Sequence, residues 1–168
     1  MPLRDRGWAL ANDSGFSMRR KDRKINSPGE IEAIIEKSVV CRLAMADENG
    51  PYLVPLCFGF RDNTLYFHSA IHGRKLDILR KNSRICFEFD ADCEIRSGEK
   101  ACDFSMRYSS VIGFGTATFV EQPEAKRDAM DVIMAHYADN KFTYTDSAIE
   151  KIAIIKVDID SMTGKASR

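Results

Sequence analysis

Asn49-Gly50 and Asp62-Asn63 divide the stretch from Val39 to Ala70 into three short runs rich in β-branched and aromatic residues. Connections this short have no room for a helical crossover, so consecutive runs must return antiparallel, as hairpins. The runs are Val39 to Ala46, Tyr52 to Phe60 and Thr64 to Ala70. Asp47-Glu48-Asn49-Gly50 joins the first two, and Arg61-Asp62-Asn63 joins the second to the third.

The rest of the chain extends this pattern. Arg84 to Phe89 reads as a strand, Ala91 to Phe104 as a polar loop, and Tyr108 to Val120 as a long strand with Gly113 and Gly115 where it must bend. Lys151 to Asp160 alternates Ile155, Val157 and Ile159 with Lys156, Asp158 and Asp160, the pattern of a half-buried strand. Helices are fewer. Ser27-Pro28-Gly29-Glu30 has a capping serine, proline at the first helical position and glutamate three residues after the cap, and Ile31, Ile34 and Ile35 supply its buried stripe. Pro123 to Asp139 is helical, with Met130, Ile133, Met134 and Tyr137 on one face. The sequence therefore predicts a mainly β fold of about six antiparallel strands, closed into a barrel with flanking helices so that no long edge is exposed.

Composition bounds the function. The 168 residues, 44% hydrophobic and 30% charged, suit a single domain over residues 18–168, preceded by a flexible arm over residues 1–17. A formal net charge of zero gives no field toward nucleic acid or anionic lipid. No apolar run approaches the roughly 20 residues of a membrane span, and no apolar leader opens the chain, so the expected location is the cytoplasm. Cys41, Cys57, Cys86, Cys93 and Cys102 are odd in number without C-x-x-C spacing, which argues against a disulfide framework or a zinc ribbon. Cys41, Cys57 and Cys86 read as small buried hydrophobes; Cys93 and Cys102 flank the charged loop, where a metal or a redox pairing is the alternative.

Chemistry concentrates between Thr64 and Asn82, TLYFHSAIHGRKLDILRKN, where a strand runs into Gly73-Arg74-Lys75 at a helix start. A phosphate dianion requires fixed donors. This segment offers the Arg74 guanidinium, the Lys75 ammonium, the Ser69 hydroxyl and free helix-start N–H groups near Gly73. The competing reading leaves Arg74 and Lys75 as solvated surface charge. His68 is either a half-buried strand histidine or a group that meets a ligand, while His72 reads as a loop residue and His136 as a neighbour of a helical core stripe. No nucleophile elbow is present.

The order YLVPLCFGF, turn, TLYFHSA, IHGRK, helix resembles the FMN-binding split barrels of the pyridoxamine 5′-phosphate oxidase-like superfamily. MRRKDRKI, SVIGFGTATFVE and IIKVDIDSMTGK make the chain similar to the nitroimidazole-resistance, nitroimidazole reductase-like branch, over roughly Met18 to Lys165. The resemblance implies FMN as cofactor, with Val54, Pro55 and Leu56 along the isoalloxazine ring, His68 and Ser69 lining the flavin and its tail, and Arg74 and Lys75 on the phosphate. It further implies a homodimer with the flavin at the subunit interface, approached from the second subunit by Tyr108, Ser109 and Ser110. The activity implied is reduction of a small, flat aromatic acceptor such as a 5-nitroimidazole, with His68 as the catalytic proton or hydrogen-bond donor and no metal. The alternatives are a flavin- or haem-binding protein without turnover, and an F420-dependent reductase. The C-terminal SMTGKASR has no match to the substrate-binding residues of the oxidase itself.

Overall fold

A computed structural model of the chain describes residues 18–168 and the backbone of Ala9 and Leu10. The remainder of the expected N-terminal arm lies outside the described residues. In chain order the elements are β1 (Ala9–Leu10), β2 (Lys24–Ile25), α1 (Pro28–Lys37), β3 (Cys41–Asp47), β4 (Gly50–Leu56), β5 (Gly59–Arg61), β6 (Thr64–Ala70), α2 (Arg74–Lys81), β7 (Arg84–Arg96), β8 (Ser105–Val120), α3 (Pro123–Tyr137), α4 (Asp146–Glu150) and β9 (Ile152–Ser167).

These strands form one sheet in the order β4-β3-β7-β8-β9-β6-β5, with β1 and β2 paired to β9. Its two ends, β4 and β5, are separated in sequence only by Cys57 and Phe58. The sheet must therefore curl until its edges meet, although no ladder joins them: the mainly β barrel is split rather than fully closed. The expected single strand over Tyr52 to Phe60 is broken at this point. The Phe58 N–H donates to the Tyr137 hydroxyl at 3.0 Å, and that hydroxyl donates to the Val39 carbonyl at 3.0 Å, so α3 ties the break to the segment that leads into β3. Gly59 lies against α3 so closely that a Cβ would stand 2.6 Å from the Ile133 nitrogen.

Local chemistry explains the hairpins. Asp62 and Asn63 adopt φ of 51° and 59°, the paired left-handed residues of a type I′ turn. The Asn49 N–H donates to Asp47 Oδ1 at 2.9 Å across the other turn. Inward alternation then builds the core, in which Leu43, Leu65, Phe67, Phe87, Phe89, Ile155 and Val157 are fully buried and Ile31, Ile34 and Ile35 of α1 close one side. Burying each such side chain contributes about 1.5–3 kcal/mol. Gly113 and Gly115 let β8 bend over this core: a Cβ at Gly113 would stand 2.1 Å from Phe87 Cζ, and one at Gly115 2.6 Å from the Asp158 carbonyl oxygen.

Several sequence expectations are corrected. The polar loop expected over Ala91 to Phe104 is largely hairpin, because β7 passes through an irregularity between Ala91 and Glu94 and runs on to Arg96, exposed on both faces and so without an apolar period. β9 extends past Asp160 to Ser167, its inward positions filled by Met162, Gly164 and Ala166, two of them too small to register as an alternating apolar pattern. The buried residues of α3 are Ala129, Val132 and Ile133. Tyr137 is instead the polar bridge described above, and His136 Nε2 lies 2.7 Å from the Ser38 carbonyl oxygen. Ser27 makes no side-chain capping bond. Cys57 is exposed, whereas Cys41 is buried and Cys86 half-buried; all five cysteines are free. Among the described residues no helix is long and apolar enough to cross a membrane, and no group of three or more His, Cys, Asp or Glu could hold a metal.

Candidate functional site

Strand β6 delivers the chain to the first turn of α2, and Gly73 makes the corner. Its φ of 135° and ψ of 161° lie in a region open almost only to glycine, and no atom stands within 4 Å of where a Cβ would be. Conformation, not crowding, selects glycine here. The Gly73 carbonyl accepts from Leu76 N–H at 2.9 Å and from Asp77 N–H at 3.2 Å, and no side chain caps the helix, so the N–H groups of Arg74 and Lys75 point out of its open end.

Two cations occupy that end. Arg74 lies with its guanidinium 4.6 Å from the centroid of the Tyr52 ring on β4, and among the described residues neither Arg74 nor Lys75 forms an ion pair with a carboxylate. Cations at a helix N-terminus oppose its macrodipole, which costs each a few tenths of a kcal/mol to about 1 kcal/mol. The later cations of α2 are treated differently: Arg80 pairs with Asp77 at 3.1 Å and Lys81 with Glu48 at 2.6 Å. A bound anion would relieve the local conflict at Arg74 and Lys75. Free N–H groups, a planar guanidinium and an ammonium are the donor set that a phosphate dianion requires.

The strand residues before Gly73 divide between two faces. Leu65, Phe67 and Ser69 turn inward, and the Ser69 hydroxyl is buried and donates to the Ala70 carbonyl oxygen at 3.0 Å. His68 turns outward and is exposed, on the face where Tyr66 packs against Ile133 and Ile154. Period-2 alternation thus separates two neighbours that the sequence placed together.

Val54, Pro55 and Leu56 lie on β4 with Tyr52. Among the described residues β4 pairs only with β3, leaving its outer edge unpaired, and Pro51 and Pro55 are tolerated there because a missing N–H breaks no ladder. Val54 and Leu56 turn toward the core and Pro55 away from it. Tyr52 alone was missed by the sequence reading; the aromatic side chain two residues from Val54 on the same face was its available signal.

Tyr108, Ser109 and Ser110 are not brought to this place within one chain. Tyr52 opposes Met45, whose neighbour Ala44 pairs with Cys86 and through it with Phe114, so the Tyr52 level meets β8 near Gly115. Tyr108 stands roughly 23 Å farther along β8. There Tyr108 and Ser109 line an open groove of about 730 Å³ with Lys37, Cys93, Arg107 and Arg168.

The comparisons agree with this architecture. The family model described as pyridoxamine 5′-phosphate oxidase matches residues 27–166, and the chain belongs to that family. A provisionally assigned 5-nitroimidazole antibiotic resistance protein from Bacteroides thetaiotaomicron is 37% identical, with 85% of this chain and 86% of that chain covered and a TM-score of 0.78. A FAD-binding protein from Mesorhizobium loti is 25% identical, covering 87% and 98%, with a TM-score of 0.63. The flavocytochrome Anf3 from Azotobacter vinelandii shares the fold at 16% identity, covering 95% and 76%, with a TM-score of 0.82. No protein with a curated function matches the chain.

Proposed function

We propose that the chain is a flavoprotein that holds FMN by its phosphate at Arg74, Lys75 and the open end of α2, and that it reduces a small aromatic acceptor. The observation that carries the reading is the pair of cations without carboxylate partners at an uncapped helix N-terminus, inside a family whose solved relatives include a FAD-binding protein and a nitroimidazole-resistance protein. A monophosphate suits that grip better than an embedded pyrophosphate, because its terminal dianion can meet the guanidinium, the ammonium and the helix N–H groups together. Flavin supplies hydride and single-electron transfer when bound. The chain then has to position the ring and deliver a proton. The outer edge of β4 at Val54, Pro55 and Leu56 offers backbone groups along the ring, and exposed His68 is the candidate donor to the acceptor.

In this reading two copies complete the site. One rung across the outer face of the sheet runs Leu53, Ala44, Cys86 and Phe114, with Ile112 on the next rung, and Leu53, Ile112 and Phe114 are exposed apolar side chains. A second copy covering this strip would bring its Tyr108, Ser109 and Ser110 within reach of the partner's α2 start. The test is the visible spectrum of the purified protein followed by anaerobic turnover with a 5-nitroimidazole. Flavin bands and turnover support the whole reading, flavin bands without turnover leave a binding protein, and a Soret band or no chromophore rejects it.

A further inference from the structure

Arg74 has a carboxylate within electrostatic reach and does not pair with it. The Asn49 N–H first, against slight desolvation, holds the Asp47 carboxyl below the usual carboxylate range, and the Asn49 side chain and the charges of Lys81 and Arg74 add to this. Yet among the described residues Arg74 forms no ion pair, and its guanidinium rests over the Tyr52 ring, 4.6 Å from the centroid. Later cations of α2 behave otherwise: Arg80 pairs with Asp77 at 3.1 Å and Lys81 with Glu48 at 2.6 Å.

The β3–β4 hairpin offers Arg74 both seats. Asp47 and Met45 share a face of β3, and Tyr52 is the cross-strand partner of Met45, so the carboxylate and the ring lie on the same face of the hairpin. The far end of α2 is pinned to that hairpin as well, by the Lys81–Glu48 pair and by Asn82 Nδ2, which donates to the Ala46 carbonyl at 3.0 Å. Asp47 meanwhile is engaged by its own turn: the Asn49 N–H donates to Oδ1 at 2.9 Å and Asn49 Nδ2 to Oδ2 at 3.3 Å. The two seats differ in what they leave free. A carboxylate takes up guanidinium donors in parallel hydrogen bonds and neutralises the charge, whereas an aromatic face attracts the cation without spending those donors.

We propose that Tyr52 is a positioning residue for the phosphate grip: it holds Arg74 away from Asp47 with the donors and charge of the guanidinium unspent, while Asn49 keeps the carboxylate occupied. The proposal rests on the reading of Arg74 as a phosphate ligand. It makes the β3–β4 hairpin, together with α2, the element that sets selectivity for a phosphorylated flavin, and it gives Tyr52 no contact with the flavin ring.

The readout is the ratio of FMN to riboflavin affinity, from fluorescence titration of the full chain. Tyr52→Leu keeps apolar bulk against the core, where Tyr52 packs, and removes the aromatic face. It should weaken FMN roughly tenfold, through one lost cation–π contact and one competing surface ion pair, and leave riboflavin near wild type. Tyr52→Phe should retain the wild-type ratio. Asp47→Asn, whose side-chain oxygen still accepts from the Asn49 N–H, should restore most of the ratio when added to Tyr52→Leu and change it far less when made alone. Equal weakening of FMN and riboflavin in Tyr52→Leu would overturn the proposal by making Tyr52 a ring contact. A wild-type ratio in Tyr52→Leu, a ratio in Tyr52→Phe as low as that of Tyr52→Leu, or no recovery from Asp47→Asn would overturn it too. The Arg74→Ala, Lys75→Ala double variant separates this outcome from the reading beneath it. If that variant lowers the ratio and Tyr52→Leu does not, the positioning role alone falls; if that variant leaves the ratio unchanged, the phosphate reading falls with it.

Discussion

The Arg74 guanidinium lies over the Tyr52 ring, 4.6 Å from its centroid, and so ties the first turn of α2 to the end strand of the split barrel. A cation held on an aromatic face gains on the order of 0.5–1 kcal/mol when exposed, and it loses conformational freedom before any ligand arrives. The guanidinium is thereby set beside the uncapped helix end. Tyr52, Val54 and Leu56 share one face of β4, so the side chain that fixes the arginine and the edge proposed to run along the ring belong to the same strand.

Gly73 should tolerate no side chain. At φ 135° a Cβ is strained even though no atom stands within 4 Å, so Gly73→Ala should cost about 1–3 kcal/mol and lower the melting temperature by several degrees. Turning the Arg74 and Lys75 N–H groups away should weaken phosphorylated flavin as well. Thermal melting with and without FMN checks both effects.

Tyr137 gives the fold a pH-dependent clamp. Burial first, with the Phe58 N–H bond opposing it, pushes the phenol from its ordinary value of 10.0 up to about 12. A group whose folded value is raised stabilises fully below its unfolded value, so this contribution should persist to about pH 10 and fade as the pH rises toward 12. Tyr137→Phe should lack that alkaline loss relative to wild type. It should also lose about 1–3 kcal/mol at neutral pH, because the fully buried Phe58 keeps its N–H without the acceptor. Denaturant unfolding from pH 8 to 12 on both proteins decides the matter.

His68 should matter for turnover rather than for cofactor retention. Its side chain is exposed and turned away from the buried face of β6, so His68→Ala should leave FMN bound and lower acceptor reduction by something on the order of 10²–10⁴-fold, the range for a lost proton donor. His72→Ala should change little. Flavin occupancy and anaerobic reoxidation measured on the same preparations check the pair, and normal reoxidation in His68→Ala would leave the flavin without side-chain help.

Strong local signals made much of this architecture legible in the sequence. Strand β6 matches its expected span from Thr64 to Ala70 because two left-handed turn residues precede it and the positive-φ corner at Gly73 follows it. Ile31, Ile34 and Ile35 are buried as the helical period required. What was illegible depends on distance along the chain. At the break between β4 and β5 the Phe58 N–H turns to a tyrosine on α3, far away in sequence, and the tail of β7 is a solvated hairpin whose pairing with β8 leaves no apolar trace. Within the site, Gly73-Arg74-Lys75 could be read directly. The opposite orientations of His68 and Ser69 follow from alternation, which the motif-level match set aside. The place of Tyr52 on the same face as Val54 is legible from alternation, but its contact with Arg74 is not, because the curl of the sheet brings the two together.

The central claim is that Arg74 and Lys75 grip a terminal phosphate, and the ratio of FMN to riboflavin affinity measures it most directly. Wild type should favour FMN over riboflavin on the order of a hundredfold or more, as two charge-assisted contacts require. In Arg74→Ala, Lys75→Ala that ratio should collapse toward one while riboflavin affinity stays near the wild-type value. A double variant that weakens FMN and riboflavin equally would contradict the account, because the phosphate would then lie elsewhere.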